Sequence, residues 1–97
     1  MDEYIERIFQ YTGKYEKYKS DAIGLYSAYS NHFIGFNDKI KKPLYHLPVE
    51  TASKYLSIGI PRIRKARKLL FELRMIESTH AVDYDGKVRT YVTLKPY

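Results

Sequence analysis

Apolar and aromatic side chains recur at Tyr4, Ile8, Tyr11, Tyr15 and Tyr18, an alternation of four and three that lines one seam of a helix; Ile5 and Phe9 widen it. Gly13 interrupts the seam at a cost of about 1 kcal/mol against Ala, so a first helix is expected over residues 2 to 12. A second helix follows, capped by Ser20 or Asp21 and running to about residue 32, with Ala22, Leu25, Tyr26, Tyr29 and Phe33 as its buried face. Asn31, Gly35 and Asn37 are its stop signals. Residues 35 to 42 are polar and basic and read as a loop, and residues 43 to 47 read as a short strand.

Pro48 suits the first turn of a third helix, where its missing N–H would be unpaired in any case. That helix runs to about Leu56 and buries Val49, Ala52 and Leu56. Ser57, Ile58 and Gly59 make a turn with Ile58 pointing inward, and Pro61 marks another helix, capped by Gly59 or Ile60. On that helix Ile63, Ala66, Leu70 and Leu73 fall within one narrow arc, the core face. Arg64, Lys65 and Lys68 lie opposite it. Arg62 and Arg67 sit near the flanks, where long stems can lie along apolar surface while the charged heads reach outward.

After Met75 the period drops to two, through Ile76, Ser78, His80 and Val82, then Val88, Thr90, Val92 and Leu94. A hairpin is expected, with either a two-residue turn at Asp85 and Gly86 or a type I turn with Gly86 in a left-handed bulge. The first pairs Asp83 with Val88 and mixes polar with apolar on one face. The second pairs Val82 with Val88 and Ile76 with Leu94, and is favoured because a buried face sets register.

Charge then changes the picture. Seventeen Lys and Arg against eleven Asp and Glu give a net +6, and five of the cations crowd positions 62 to 68. Such local basic density is the footprint of phosphate binding. The 97 residues fit one small domain. The absence of cysteine removes any disulfide framework or thiolate metal site, and an intracellular, cytoplasmic setting is expected. No apolar run approaches the roughly 20 residues that span a bilayer, and the acidic start of the chain is unlike a signal peptide, so no membrane partner is expected. His32, His46 and His80 lack metal-site spacing, there is no Gly-rich phosphate loop, and no nucleophile has a recognisable partner. The expectation is a non-enzyme with no cofactor and no metal.

The order helix, short strand, helix, tight turn, basic helix, hairpin resembles a winged helix-turn-helix domain. Ala52, Leu56, Ile58, Ile63, Ala66, Leu70, Leu73, Met75 and Ile76 resemble the pattern of bacterial and archaeal regulators and replication initiators. They supply the small residue of the first helix, the apolar pair around the turn, the β-branched residue and Ala of the recognition helix, and the apolar pair leading into the wing. Residues 20 to 29 are similar to the first helix of RepA_N-type plasmid replication initiators and DnaD-like domains, and the resemblance as a whole covers residues 20 to 94. It departs at Gly59, where Ser or Thr often caps the recognition helix. It departs again at Arg74, where Gly often ends it, so that helix is expected to run on by a turn or to end without a left-handed cap.

The resemblance implies an α+β winged helix-turn-helix fold over residues 20 to 97, with residues 1 to 19 an extra N-terminal helix for dimerisation. It implies sequence-specific binding of double-stranded DNA by a homodimer, in transcriptional regulation, plasmid partition through a centromere site or replication-origin binding, with a partition or replication protein as a further partner. Arg62, Arg64, Lys65 and Lys68 would then approach base edges, Arg64 in bidentate contact with guanine, while Arg67 and Arg62 clamp the backbone. Lys54 and Ser57 would touch phosphate. Lys87 and Arg89 would meet the minor groove or adjacent backbone, or simply belong to a structural turn. Lys42, with Lys39 and Lys41, adds phosphate contacts or is only solvated. Tyr4, Ile8, Tyr11 and Tyr15 form a dimer seam or pack over their own domain. The rival function is an interaction module whose cations face an acidic protein.

Overall fold

Two apolar faces read from the sequence, the N-terminal seam and the inner arc of the basic helix, are buried in one core. The computed structural model describes residues 3–82 and 85–94. Along the chain run helix α1 (Glu3–Gln10), a 3-10 turn (Glu16–Tyr18), helix α2 (Lys19–Ser30), strands β1 (Phe33–Asn37) and β2 (Lys42–Tyr45), helices α3 (Val49–Leu56) and α4 (Ile60–Glu72), and strands β3 (Ile76–Val82) and β4 (Val88–Leu94). The fold is α+β, with the strands in one antiparallel sheet of order β1-β2-β4-β3. Asp2, expected to begin the first helix, and Asp83 and Tyr84 of the expected turn lie outside the described residues.

The core runs from Ile8 of α1 through Leu25 and Tyr29 of α2, Ala52 of α3 and Ile63, Ala66, Leu69 and Leu70 of α4 to Ile76 and Val92 of the sheet. Full burial of each large aliphatic side chain contributes about 1.5 to 3 kcal/mol. A smaller cluster of Leu44, Ala81 and Tyr91 fills the other face of the sheet. Residues 3 to 19 are tied into the same core. Arg7 donates to the Leu73 carbonyl at 2.8 Å and Tyr11 donates to Glu72 at 2.8 Å, so α1 holds the C-terminal end of α4.

Several expectations need correction. Ser20 and Asp21 do not cap α2; both lie inside it, because the helix continues directly from the 3-10 turn. Phe33 is not on the buried face of α2: that helix stops at Ser30, and Phe33 opens β1 with 55% of its surface exposed. Residues 35 to 42 are not one loop, since β1 extends to Asn37 and β2 begins at Lys42. Between them the Asn37 side chain accepts hydrogen bonds from the Lys39 and Ile40 amides, an Asx turn. A register shift between Phe33 and Gly35 breaks the period of two, which is why β1 does not announce itself.

The two helices that carry the basic cluster meet at a turn set by Ser57, which adopts φ 56°. Its neighbour Ile58 donates to the Ser53 carbonyl at 3.1 Å and packs against the core, while Gly59 takes the N-cap of α4. At the far end of α4 the expectation of no left-handed cap is wrong. Arg74 itself adopts φ 58°, its amide bonds to the Phe71 carbonyl at 3.0 Å, and the Met75 amide bonds to the Leu70 carbonyl at 3.0 Å. These paired bonds satisfy carbonyls that a helix end leaves open, so the chain tolerates a non-glycine residue there. The β3–β4 register pairs Ile76 with Leu94 and Val82 with Val88, as the bulged turn requires, with Gly86 at φ 81°.

Candidate functional site

Helix α4 carries the basic cluster on its outer surface because its inner arc is wider than the sequence spacing suggests. Leu69 is fully buried beside Ile63, Ala66 and Leu70, while Leu73 is only half-buried. Widening the core face towards Leu69 moves Lys65 from the outer face to a flank, since the two positions lie 40° apart on a helical wheel at about 100° per residue. Lys65 is accordingly half-buried, with Nζ 5.8 Å from the centre of the Tyr15 ring. Arg64 and Lys68 remain exposed opposite the core.

The two flanking arginines differ. Arg62 donates from Nε and Nη2 to both carboxylate oxygens of Asp21, at 2.9 and 2.7 Å. Asp21 is 7% exposed, and its hydrogen bonds and charge hold the Arg62 guanidinium above its ordinary pKa. The pair pins the first turn of α4 to α2. It also withdraws Arg62 from the expected base-reading set. Arg67 takes the other flank, its guanidinium carbon 5.5 Å from the Phe71 ring centre, and its Nε is buried without a hydrogen-bond partner. Its charge opposes the upward pKa shift that burial imposes on the Tyr29 hydroxyl.

Arg64, Arg67 and Lys68 converge on a notch of about 290 Å³ floored by Val49 and Phe71. No acid lines it. Among the described residues neither Arg64 nor Lys68 forms an ion pair. Three cations over an apolar floor can hold an anion such as a phosphate oxygen.

The other candidates are placed as follows. Lys54 is exposed on α3, and Ser57 is exposed at the turn before α4. Lys42 bonds Glu77 at 2.7 Å across the sheet. Arg89 bonds Asp85 at 2.9 Å, and the Lys87 amide donates to the same carboxylate at 3.0 Å, so the hairpin end neutralises much of its own charge. Ile8 and Tyr11 are buried in the chain's own core and Tyr4 and Tyr15 pack against it; Tyr4 stacks on Tyr26 with ring centres 4.5 Å apart. That intramolecular packing takes the surface a dimer seam would need. Of the acids that sort the cations, Asp85 is legible in the sequence as diluting the charge of Lys87 and Arg89, whereas Asp21 and Glu77 are not read as partners. Of those two only Asp21 carries a signal: it stands four residues before Leu25 on the apolar face of α2, and a carboxylate placed there needs a cation.

Among the described residues no three His, Asp or Glu side chains cluster as a metal site, and no helix is long and apolar enough to cross a membrane. Comparison of the chain with protein-family models, with curated proteins and with solved structures returns no match.

Proposed function

We propose that the chain is a winged helix-turn-helix protein that binds double-stranded DNA sequence-specifically as a homodimer, with α4 in the major groove. The observation that carries the reading is the pair Arg64 and Lys68, exposed on the face of α4 opposite the core and free of acids, beside Arg67 in an acid-free notch. The arrangement α2, β2, α3, α4, β3, β4, with β4 between β2 and β3, supports a winged helix to which β1 is an added edge strand. A helix with side chains is about 10 to 12 Å across and the major groove about 12 Å wide, so α4 fits without opening the duplex.

In this reading Arg64 meets a base edge, Lys68 and Arg67 hold phosphate, and Lys54 and Ser57 position α3 against the backbone. Arg62 serves as a brace for α4. The processes served are transcriptional regulation, plasmid partition or replication-origin binding, all of which need only this placement of α4 and a cytoplasmic site of action. The test is enrichment of duplexes from a random pool, followed by fluorescence anisotropy. Arg64→Ala is expected to cost about 1 to 3 kcal/mol on the enriched site and to relax one base position. A chain that binds no duplex at about 50 mM salt sinks the reading and leaves the cations to an acidic protein surface.

A further inference from the structure

Arg67 lines a second cavity besides the notch on α4. This one, of about 160 Å³, lies where α2, α4, β4 and the segment between β2 and α3 meet. Its inner end holds two polar groups without partners. Arg67 Nε is buried and makes no hydrogen bond, and the hydroxyl of Tyr29, a residue 2% exposed, makes none among the described residues. Buried polar groups in folded chains are nearly all hydrogen-bonded, so two orphans at one cavity point to an occupant. We infer that this cavity is a binding site for a small monocarboxylate, held at its carboxylate by Arg67 and Tyr29. The site is independent of the DNA reading, and its test needs no DNA.

Charge selects an anion over water. A partly buried guanidinium needs a counter-charge, and Arg67 has no ion pair among the described residues, only the Phe71 ring with its centre 5.5 Å away. Among the described residues no acid lines the cavity, and Arg67 is its one permanent cation. A water molecule would accept the Nε hydrogen bond but leave that charge unopposed. The Tyr29 hydroxyl suits the same ligand: burial raises it above its ordinary 10.0, against the opposing charge of Arg67, so it stays a donor at neutral pH. Two donors at one end of a cavity match the two oxygens of a carboxylate. A single cation likewise matches a single negative charge better than the near-dianion of phosphate.

Size and lining set the rest of the ligand. A cavity of about 150 Å³ accommodates a molecule the size of benzene, so 160 Å³ takes a carboxylate that carries a short carbon chain. Leu47 and Val92, each 6% exposed, offer that chain apolar contact together with Pro48. The mouth is polar. His46 and Thr90 are exposed there, and both are held: the His46 ring meets the Tyr91 ring edge-on with centres 5.8 Å apart, and the Thr90 hydroxyl lies 3.1 Å from His80 Nδ1. So small a ligand binds with a Kd on the order of 1 to 10 mM. Each methylene buried against the apolar lining should tighten it about fourfold.

The test is an NMR titration of the full chain, isotope-labelled at the arginine nitrogens, with sodium acetate and sodium butyrate replacing sodium chloride at constant ionic strength. The readout is the Arg67 Nε–H signal, which Arg67→Lys identifies by its loss. The expected result is a saturable shift of that signal, with butyrate binding about tenfold more tightly than acetate. Tyr29→Phe removes one hydroxyl and keeps the ring in the core, and should weaken butyrate at least about tenfold. Arg64→Ala, at a residue that lines the notch and not this cavity, should leave butyrate binding unchanged. An Arg67 signal that butyrate leaves unmoved up to about 100 mM overturns the inference. So does a shift that Tyr29→Phe fails to weaken, or inorganic phosphate that binds more tightly than butyrate.

Discussion

The salt dependence of duplex binding tests which cations face DNA, and the structure gives it a number. Six cations stand between Pro61 and Arg74, and six phosphate contacts would give log K against log salt a slope near −5. Asp21 holds Arg62 through two short hydrogen bonds, and Arg74 lies beyond the end of α4 in a left-handed turn. On α4 that leaves Lys65, Arg67 and Lys68 for phosphate, with Arg64 at a base edge, and Lys54 of α3 makes a fourth backbone contact. Four neutralised phosphates at about −0.9 each predict a slope near −3.6 for each chain bound, or a loss on the order of 150-fold per chain between about 50 and 200 mM salt.

The assay is anisotropy of a labelled duplex over that range. Arg67→Ala combined with Lys68→Ala should flatten the slope to about −1.8 per chain. Asp21→Asn should release Arg62 and deepen it to about −4.5. Lys42→Ala and Arg89→Ala should leave it unchanged, because moving either cation to a phosphate would leave Glu77 or Asp85 facing the DNA. An unaltered slope after loss of Arg67 and Lys68, or a full unit lost with Lys42, would refute the assignment of α4 as the binding face.

Three further outcomes follow from the packing. Ile8→Ala should cost about 2 to 4 kcal/mol in urea denaturation, independent of protein concentration, because Ile8 is fully buried within its own chain; a concentration-dependent loss would restore the dimer seam. Arg74→Gly should stabilise by about 0.5 to 1 kcal/mol, relieving a side chain held at φ 58°, and raise Tm by about 3 to 6 °C in calorimetry; a lower Tm would mean that the side-chain contacts of Arg74 outweigh the backbone term. Burial raises the Tyr29 and Tyr11 hydroxyls above the ordinary 10.0, so the stability they contribute is intact below about pH 10 and is lost as pH rises towards their folded values. Tyr29→Phe should therefore show a smaller fall in urea midpoint between about pH 9 and 11 than the parent chain, and an equal fall would contradict the shift.

The helices, the hairpin and its register were legible because each depends on local period and on a face that must be buried. Ile63, Ala66 and Leu70 locate the inner side of α4 without any structure, and Val82 opposite Val88 follows from alternation alone. Strand β1 was hidden by a bulge and a glycine, which erase the period of two, and by three lysines that make the region read as solvated. The left-handed residues Ser57 and Arg74 were hidden for a different reason. At both places the hydrogen bonds of the helix end outweigh the preference of the residue, and that balance is decided by packing rather than by composition.

Charge pairing was the least legible part of the site and the part that most alters it. On a helical wheel Arg62 and Arg67 are equivalent flanking residues, yet one meets a buried carboxylate and the other an aromatic ring and a tyrosine. The difference lies in which element passes each flank: α2 brings Asp21 to one side, while the notch beside α3 brings Val49 and no acid to the other. Acids elsewhere do the same for Lys42 and Arg89. Paired cations add little to the field at the surface, because each brings its own counter-charge. The field over α4 is therefore set less by the net +6 than by which of its cations have no acid beside them. Arg64, Lys68 and Arg67 are grouped among these at one notch on α4, and a ligand that must order several anionic groups along one line would find its complement there.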